Sequence, residues 1–389
     1  MNAGPFHLTY CSNVHPAETW QDVQASLTTY LPEVRRHLGF EGPLAIGLRL
    51  SAVAAQELDH DATLTAFREF LERGNYYIFT INGFPYGAFH GERVKEQVYL
   101  PDWRDQRRLT YTNTLARLLA ALLPAGVAEG SISTVPGAFK RAVTGRDDVA
   151  AIVRMLLTHA AYLADIRERT GRTIVLALEP EPSCLLETTA ETADFFQSWL
   201  FDPRVLDAHG SGLTREDIQR HLGVCYDACH MAVEYEDAAA SIEALQAAGI
   251  KIAKVQISAG LKLRPTAETA RRLIPFAEDT YLHQVVERRG STIARFVDLP
   301  DALAAAPSAE GEREWRVHFH LPIYLDEVQG LATTTDDLVK LLDVLKARDV
   351  CPYLEVETYT WSVLAPQFRT LDLAEAIARE LAWVRDRLR

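Results

Sequence analysis

What this sequence lacks narrows it first. No apolar run approaches the ~20 residues that a membrane helix needs. The opening stretch from Met1 to Tyr10 carries neither the basic nor the apolar region of a signal peptide. Cysteines are few: Cys11, Cys184, Cys225, Cys229 and Cys351. An odd number so widely scattered does not make a disulfide framework, so the reading is a cytoplasmic chain with reduced thiols. Cys225 and Cys229 flank Asp227 without the C-x-x-C spacing of redox or zinc sites. A G-x-S-x-G elbow, a G-x-G-x-x-G fingerprint and a Walker loop are all absent, which argues against a serine hydrolase, a dinucleotide enzyme and an NTPase. Positive charge is also short. With 40 Lys+Arg against 53 Asp+Glu the formal charge is −13, a field that repels nucleic acid and anionic membranes. Without internal repeats, low-complexity tracts or a linker, residues 1–389 read as a single domain.

What is present is alternation. Short β-rich runs at His7–Ser12, Leu44–Leu50, Tyr76–Ile81, Ser131–Val135, Thr173–Leu178, Leu222–Tyr226, Ile252–Ser258, Trp315–His320 and Tyr353–Thr358 are mostly separated by stretches of helical period. One such stretch places Val149, Ile152, Val153, Leu156, Leu157, Ala160 and Leu163 on one face, with Asp147 as its N-terminal cap. A closing helix is expected over Leu371–Leu388. Strands separated by helices imply parallel pairing, and eight such units close into a (β/α)8 TIM barrel. Nine runs are one too many, so one lies outside the barrel. The extra chain is placed in 259–314, where a β-hairpin turning at Arg289–Thr292 is expected near 281–298. Gly83–Asp102, after strand three, is a long loop for the barrel mouth.

In a barrel, polar side chains at strand C-termini point into the mouth, where active sites sit. The fifth run ends in Glu179-Pro180-Glu181-Pro182, and the prolines stop the strand there. The sixth ends in Asp227-Ala-Cys-His230. Carboxylate and imidazole suit Zn, Mn, Co or Fe, and carboxylate suits Mg as well. Lys254 and Gln256 share one face of the seventh run, His318 and His320 one face of the eighth, Glu355 and Glu357 one face of the last. Two acids on one face of an apolar strand are costly to bury unpaired, which a metal or shared proton would offset. Asn82, His90, Lys95 and Trp361 complete the polar and aromatic candidates for substrate binding.

These segments resemble the xylose isomerase-like TIM-barrel superfamily. Asp227-Ala-Cys-His230-Met-Ala-Val-Glu234 is similar to the D-T-x-H-M-x-I-E of tagatose 3-epimerase-type enzymes, and Cys225-Tyr-Asp-Ala-Cys-His230 to the C-L-D-T-C-H of endonuclease IV. The resemblance implies that Glu179 and Asp227 bind metal and that His230 binds a second metal or a substrate hydroxyl. Where those relatives carry a metal-binding His on strand seven, Gln256 stands here. Three outcomes stay open: Gln256 ligates weakly, His318 or His320 takes over, or the metal site is depleted. The whole chain resembles the EboE family of metabolite traffic proteins through Asn82-Gly-Phe-Pro-Tyr-Gly, Val94-Lys-Glu96, Tyr99-Leu-Pro-Asp-Trp103, His318-Phe-His320 and Glu355-Val-Glu-Thr-Tyr-Thr-Trp361. That implies a biosynthetic gene cluster, partners encoded in it, and no particular reaction.

The leading expectation is a metal-dependent isomerase or epimerase for a small polyhydroxylated metabolite or sugar phosphate. One or two divalent ions would be held by Glu179, Asp227, His320 and Glu357. Glu181 or Glu355 would move the proton, and His230 would orient a substrate oxygen. The alternatives are a non-catalytic metabolite-binding or trafficking barrel and an endonuclease IV-like phosphodiesterase. A homo-oligomer is left open.

Overall fold

The computed structural model describes residues 1–91, 93–305, 311–362 and 372–389. Its strands are β1 (Asn2–Ala3), β2 (Phe6–Tyr10), β3 (Leu44–Arg49), β4 (Tyr76–Asn82), β5 (Glu129–Thr134), β6 (Thr173–Leu178), β7 (Leu222–Asp227), β8 (Lys251–Ile257), β9 (Leu261–Leu263), β10 (Val285–Arg289), β11 (Thr292–Phe296), β12 (Arg313–Val317), β13 (Glu327–Val328), β14 (Leu331–Thr333) and β15 (Tyr353–Val356). Nine of them form one sheet in the order β1-β2-β15-β8-β7-β6-β5-β4-β3. From β2 to β3 in that order every pairing is parallel, and β1 pairs antiparallel with β2. The two ends of the parallel run meet. A parallel bridge joins Cys11 to Gly47, and Thr9 Oγ1 donates to Ala45 O at 2.8 Å, so the sheet is nearly closed into a barrel.

Local chemistry explains the units. Parallel strands are covered on both faces, and β6, Thr-Ile-Val-Leu-Ala-Leu, is correspondingly apolar and buried beyond its first residue. The helix Trp20–Leu38 starts on a capping box between Thr19 and Asp22, and ends at Gly39 with φ +56°. Leu27, Leu31 and Val34 turn inward from it. The helix Arg146–Thr170 buries Ile152, Val153, Leu156, Leu157, Ala160 and Leu163 and leaves Val149, in its first turn, half-buried. Its cap is Gly145 rather than Asp147. Asp147 and Asp148 lie instead in the first turn, where negative charge complements the helix dipole. This helix is, by length and average composition, long and apolar enough to cross a membrane, although Arg154 and Asp165 interrupt its apolar runs. Its buried apolar face is equally that of a barrel's covering helix. The closing helix runs Leu373–Leu388 from an Asp372 cap; Leu371 lies outside the described residues.

Between β8 and β15 the chain builds a second, antiparallel sheet, ordered β11-β10-β12-β9-β14-β13. Gly290, at φ +56°, turns the hairpin between β10 and β11. The run expected at Trp315–His320 is β12 of this sheet, so it is the strand outside the barrel. Pairing stops at Val317, and His318 and His320 follow the strand rather than lie in it.

The barrel interior is partly polar. Lys254 Nζ lies 2.6 Å from Glu355 Oε2 and 3.1 Å from Ser133 Oγ, with both ionic side chains fully buried. Gly47 makes room for them, because a Cβ there would sit 1.9 Å from Glu355 Oε1.

Candidate metal centre and pocket

The strand ends converge as the barrel geometry requires. Glu179 follows β6, Asp227 ends β7 and Glu357 follows β15; one carboxylate oxygen from each lies within 4.8 Å of the other two. Asp227 caps the short helix Ala228–Val233: its Oδ1 accepts from His230 N at 2.9 Å and from Ser258 Oγ at 2.8 Å. That leaves Oδ2 buried with no hydrogen-bond partner. Glu179 Oε2 is in the same state. Glu357 Oε1 accepts from Asn13 Nδ2 at 2.7 Å and Asn82 Nδ2 at 2.9 Å. Burial first, and the neighbouring carboxylates second, push the Glu179 and Glu357 carboxyls well above the ordinary range.

His320 reaches this cluster from beyond β12. Its Nδ1 lies 2.9 Å from Glu357 O, which can only accept, so the proton sits on Nδ1 and Nε2 carries the lone pair. Nε2 is buried without a partner and stands 4.0 Å from Asp227 Oδ2. Asp227 belongs to two triads, with Glu179 and Glu357 and with His230 and His320, and the three orphaned ligand atoms among them make a hard–borderline donor set that fits a divalent cation. Gln256 is not the replacement. Its Oε1 accepts from Cys225 Sγ at 2.8 Å inside the barrel, outside the pocket lining.

A second constellation adjoins the first: Glu181, His230 and His318 also bring one ligand atom each within 4.8 Å of the others. His230 Nδ1 faces Pro180 O at 3.0 Å and so is protonated. Gln284 Nε2 donates to Glu181 Oε1 at 3.0 Å and Pro182 O at 3.0 Å, which turns Gln284 Oε1 toward His318 Nδ1, 2.7 Å away. His318 therefore also holds its proton on Nδ1. The two Nε2 atoms, 3.2 Å apart, face each other with lone pairs when both rings are neutral. The contact becomes attractive with a proton or a metal ion between them. Tyr99 OH donates to the same Glu181 oxygen at 2.7 Å. Burial raises the Glu181 carboxyl to about 7, against these two hydrogen bonds, which lower it.

Glu179, Glu181, His230, His318, His320 and Glu357 all line one pocket, with Asn82 and Lys95. Its empty space is about 520 Å³, open mouth included. The loop after β4 supplies much of the wall, including Phe84, Phe89, Val98 and Tyr99. Besides Gln256, and Asp227 beneath it, four sequence candidates are not in its lining. Lys254 and Glu355 are held against each other below, which removes Glu355 as a proton carrier for the pocket. His90 is a strut between Asn13 O and the Tyr281 hydroxyl. Trp361 is buried outside the lining. Tyr99 and Gln284 were missed as functional residues. The clue to Gln284 was an amide beside the apolar start of a hairpin strand; Tyr99 sits in a loop without periodicity and gave none.

No family model matches the sequence, and no curated protein is similar to it at the sequence level. Solved structures are. The chain is similar to the IolI protein determined with a bound zinc atom, at 14% identity over 97% of this chain and 95% of that one, with a TM-score of 0.50. It is similar to a xylose isomerase-like TIM-barrel protein from Mycobacterium smegmatis in complex with magnesium, at 12% identity over 100% and 98% of the chains, TM-score 0.51. A D-tagatose 3-epimerase-like protein matches at 12% identity over 98% and 96%, TM-score 0.50. At such identities the likeness shows the fold alone, an α/β barrel of the kind these three structures have.

Proposed function

We propose that this chain is a metal-dependent isomerase acting on a small polyhydroxylated carbonyl metabolite, in one domain spanning residues 1–389. Glu179, Asp227, His320 and Glu357 hold one divalent ion. The observation that carries this reading is a set of buried ligand atoms without partners, Glu179 Oε2, Asp227 Oδ2 and His320 Nε2, in two adjoining triads that share Asp227. The zinc of the IolI structure and the magnesium of the Mycobacterium smegmatis protein support a divalent ion without selecting the metal. Such an ion would polarise a carbonyl and its neighbouring hydroxyl.

The rest of the chemistry belongs to this chain's own residues. Glu181 is the proton carrier: Tyr99 and Gln284 pin Oε1, and Oε2 is left for the substrate. A carboxyl near 7 can both take and return a proton at neutral pH. His230 and His318 orient a substrate oxygen, or share a second cation between their facing Nε2 atoms. With Glu355 enclosed, Glu181 is the one acid outside the ligand set that lines the pocket among the described residues. One carrier suits proton transfer between adjacent carbons on a single face. Epimerisation needs a second base on the opposite face. We therefore favour isomerisation over epimerisation.

The EboE resemblance of the motif segments supports a place in metabolite biosynthesis or traffic. A carrier without turnover would hold the same ion and metabolite and move no proton. Elemental analysis after reconstitution with Mn, Zn, Co, Fe or Mg, beside Asp227→Ala, tests the ion. One equivalent in the parent and none in the variant is expected; no metal in the parent, or equal metal in both, overturns the reading. Solvent-deuterium incorporation into ketose and aldose panels then separates enzyme from carrier.

A further inference from the structure

The pocket divides sharply by polarity. Its floor carries the acids and imidazoles described above. Among the described residues the lining holds one cationic side chain besides the histidines, Lys95. Its ammonium is 2.7 Å from Asp298 Oδ2 and 3.0 Å from Glu278 O, so it is already neutralised. A phosphate entering here would meet Glu179, Glu181 and Glu357 without a free counter-charge on the wall.

Most of the upper polar groups are also engaged, although Asn13 Oδ1 is buried without a partner. The Asn13 and Asn82 amides point at Glu357, the Tyr99 hydroxyl at Glu181, and the Tyr281 hydroxyl at His90, 2.7 Å away. What faces the space is ring and aliphatic surface: Phe84, Phe89, Val98, Tyr281, Leu282 and Tyr359. The rings of Phe89, Tyr281 and Tyr359 come from three separate segments. Their centroids lie 5.2, 5.1 and 5.0 Å apart, and the Tyr359 ring is 4.7 Å from that of His320. At those spacings and T-shaped or tilted angles the three rings pack against one another as one aromatic wall beside the His320 imidazole. A group attached to a substrate seated on the floor would lie along this apolar wall.

We infer that the substrate is an uncharged polyol or keto-polyol head joined to an apolar chain or ring, and not a sugar phosphate. The seat of the head rests on the metal-site reading above; the apolar part rests on the wall alone.

The test is calorimetric titration of the Mn²⁺-loaded chain with methyl, butyl and hexyl β-D-glucoside and with glucose 6-phosphate. Affinity is expected to rise roughly fourfold per added methylene, the factor for a CH₂ leaving water. Glucose 6-phosphate should bind no better than the methyl glucoside. Val98→Asp should erase the gain from the alkyl chain while leaving metal content and methyl glucoside binding as they were. A flat alkyl series, no glucoside binding with metal present, or tighter binding of the phosphate overturns the inference. Metal analysis of the same samples separates the two failures. Chain-length dependence without bound metal keeps the apolar wall and removes the isomerase reading. Bound metal with a flat series removes this inference alone.

Discussion

Glu181 has one oxygen held by two donors and the other left for a reaction, and its environment sets the working pH. Burial disfavours the carboxylate and holds the group near 7, while the Tyr99 hydroxyl favours it from 2.7 Å. Tyr99→Phe removes that donor and keeps the ring, which stacks on Phe139 at 5.1 Å. A hydrogen bond to a charged acceptor is worth about 1.5–3 kcal/mol, roughly one to two units of pKa. Losing it raises the carboxyl further, and because the base must be ionised to accept a proton, activity switches on later as pH rises. The acidic limb of the exchange rate against pH should move up by roughly one unit in Tyr99→Phe. An unmoved limb would assign the titration to another group. At this scale the sequence spoke clearly only where chemistry broke a pattern. Glu179, Asp227 and Glu357 stood out because carboxylates ended apolar strands. Tyr99 did not, because an aromatic in a glycine- and proline-rich loop has many ordinary explanations.

At the scale of elements, period and punctuation made the barrel strands and the hairpin readable, since alternation and a turning glycine are local facts. Position outside the barrel was not local. β12 has the composition of a barrel strand, and only its antiparallel pairing with β10 and β9 sets it apart. That one placement explains how His320, rather than Gln256, comes to complete the cluster. Facing side chains on β8 and β15 were equally opaque: Lys254 and Glu355 looked like site residues, whereas they neutralise each other inside the sheet. Replacing one partner leaves a buried charge alone, at about 3–5 kcal/mol, while replacing both with apolar residues of similar volume is often neutral. Lys254→Met should therefore lower the urea unfolding free energy by about 3–5 kcal/mol, and Lys254→Met/Glu355→Leu should recover most of it. A loss under about 1 kcal/mol in the single variant would mean that Glu355 takes up a proton or another partner instead.

For the molecule as a whole, composition and charge excluded partners more firmly than they named any, and the alternation of elements carried the barrel without fixing what closes it. One closing contact ties global stability to pH. The helix Leu373–Leu388 buries Glu380, whose Oε1 accepts from Thr358 Oγ1 at 2.7 Å and from Ile323 N at 3.2 Å. These contacts link the C-terminal helix to the chain on either side of the mouth, next to Glu357 and just past His320. Burial lifts the Glu380 carboxyl from its ordinary 4.5 to about 8 in the folded chain. Between those values the folded form keeps a proton that the unfolded form has released, so this group's contribution is complete below about 4.5 and is lost as pH rises through about 8. Glu380→Gln keeps an acceptor and cannot ionise. The unfolding free energy of the parent minus that of Glu380→Gln, followed by urea titration, should fall steadily from pH 5 to pH 8, with the variant the more stable of the two at the alkaline end. A difference that stays level across that range would show that Glu380 is already ionised in the folded protein at pH 5.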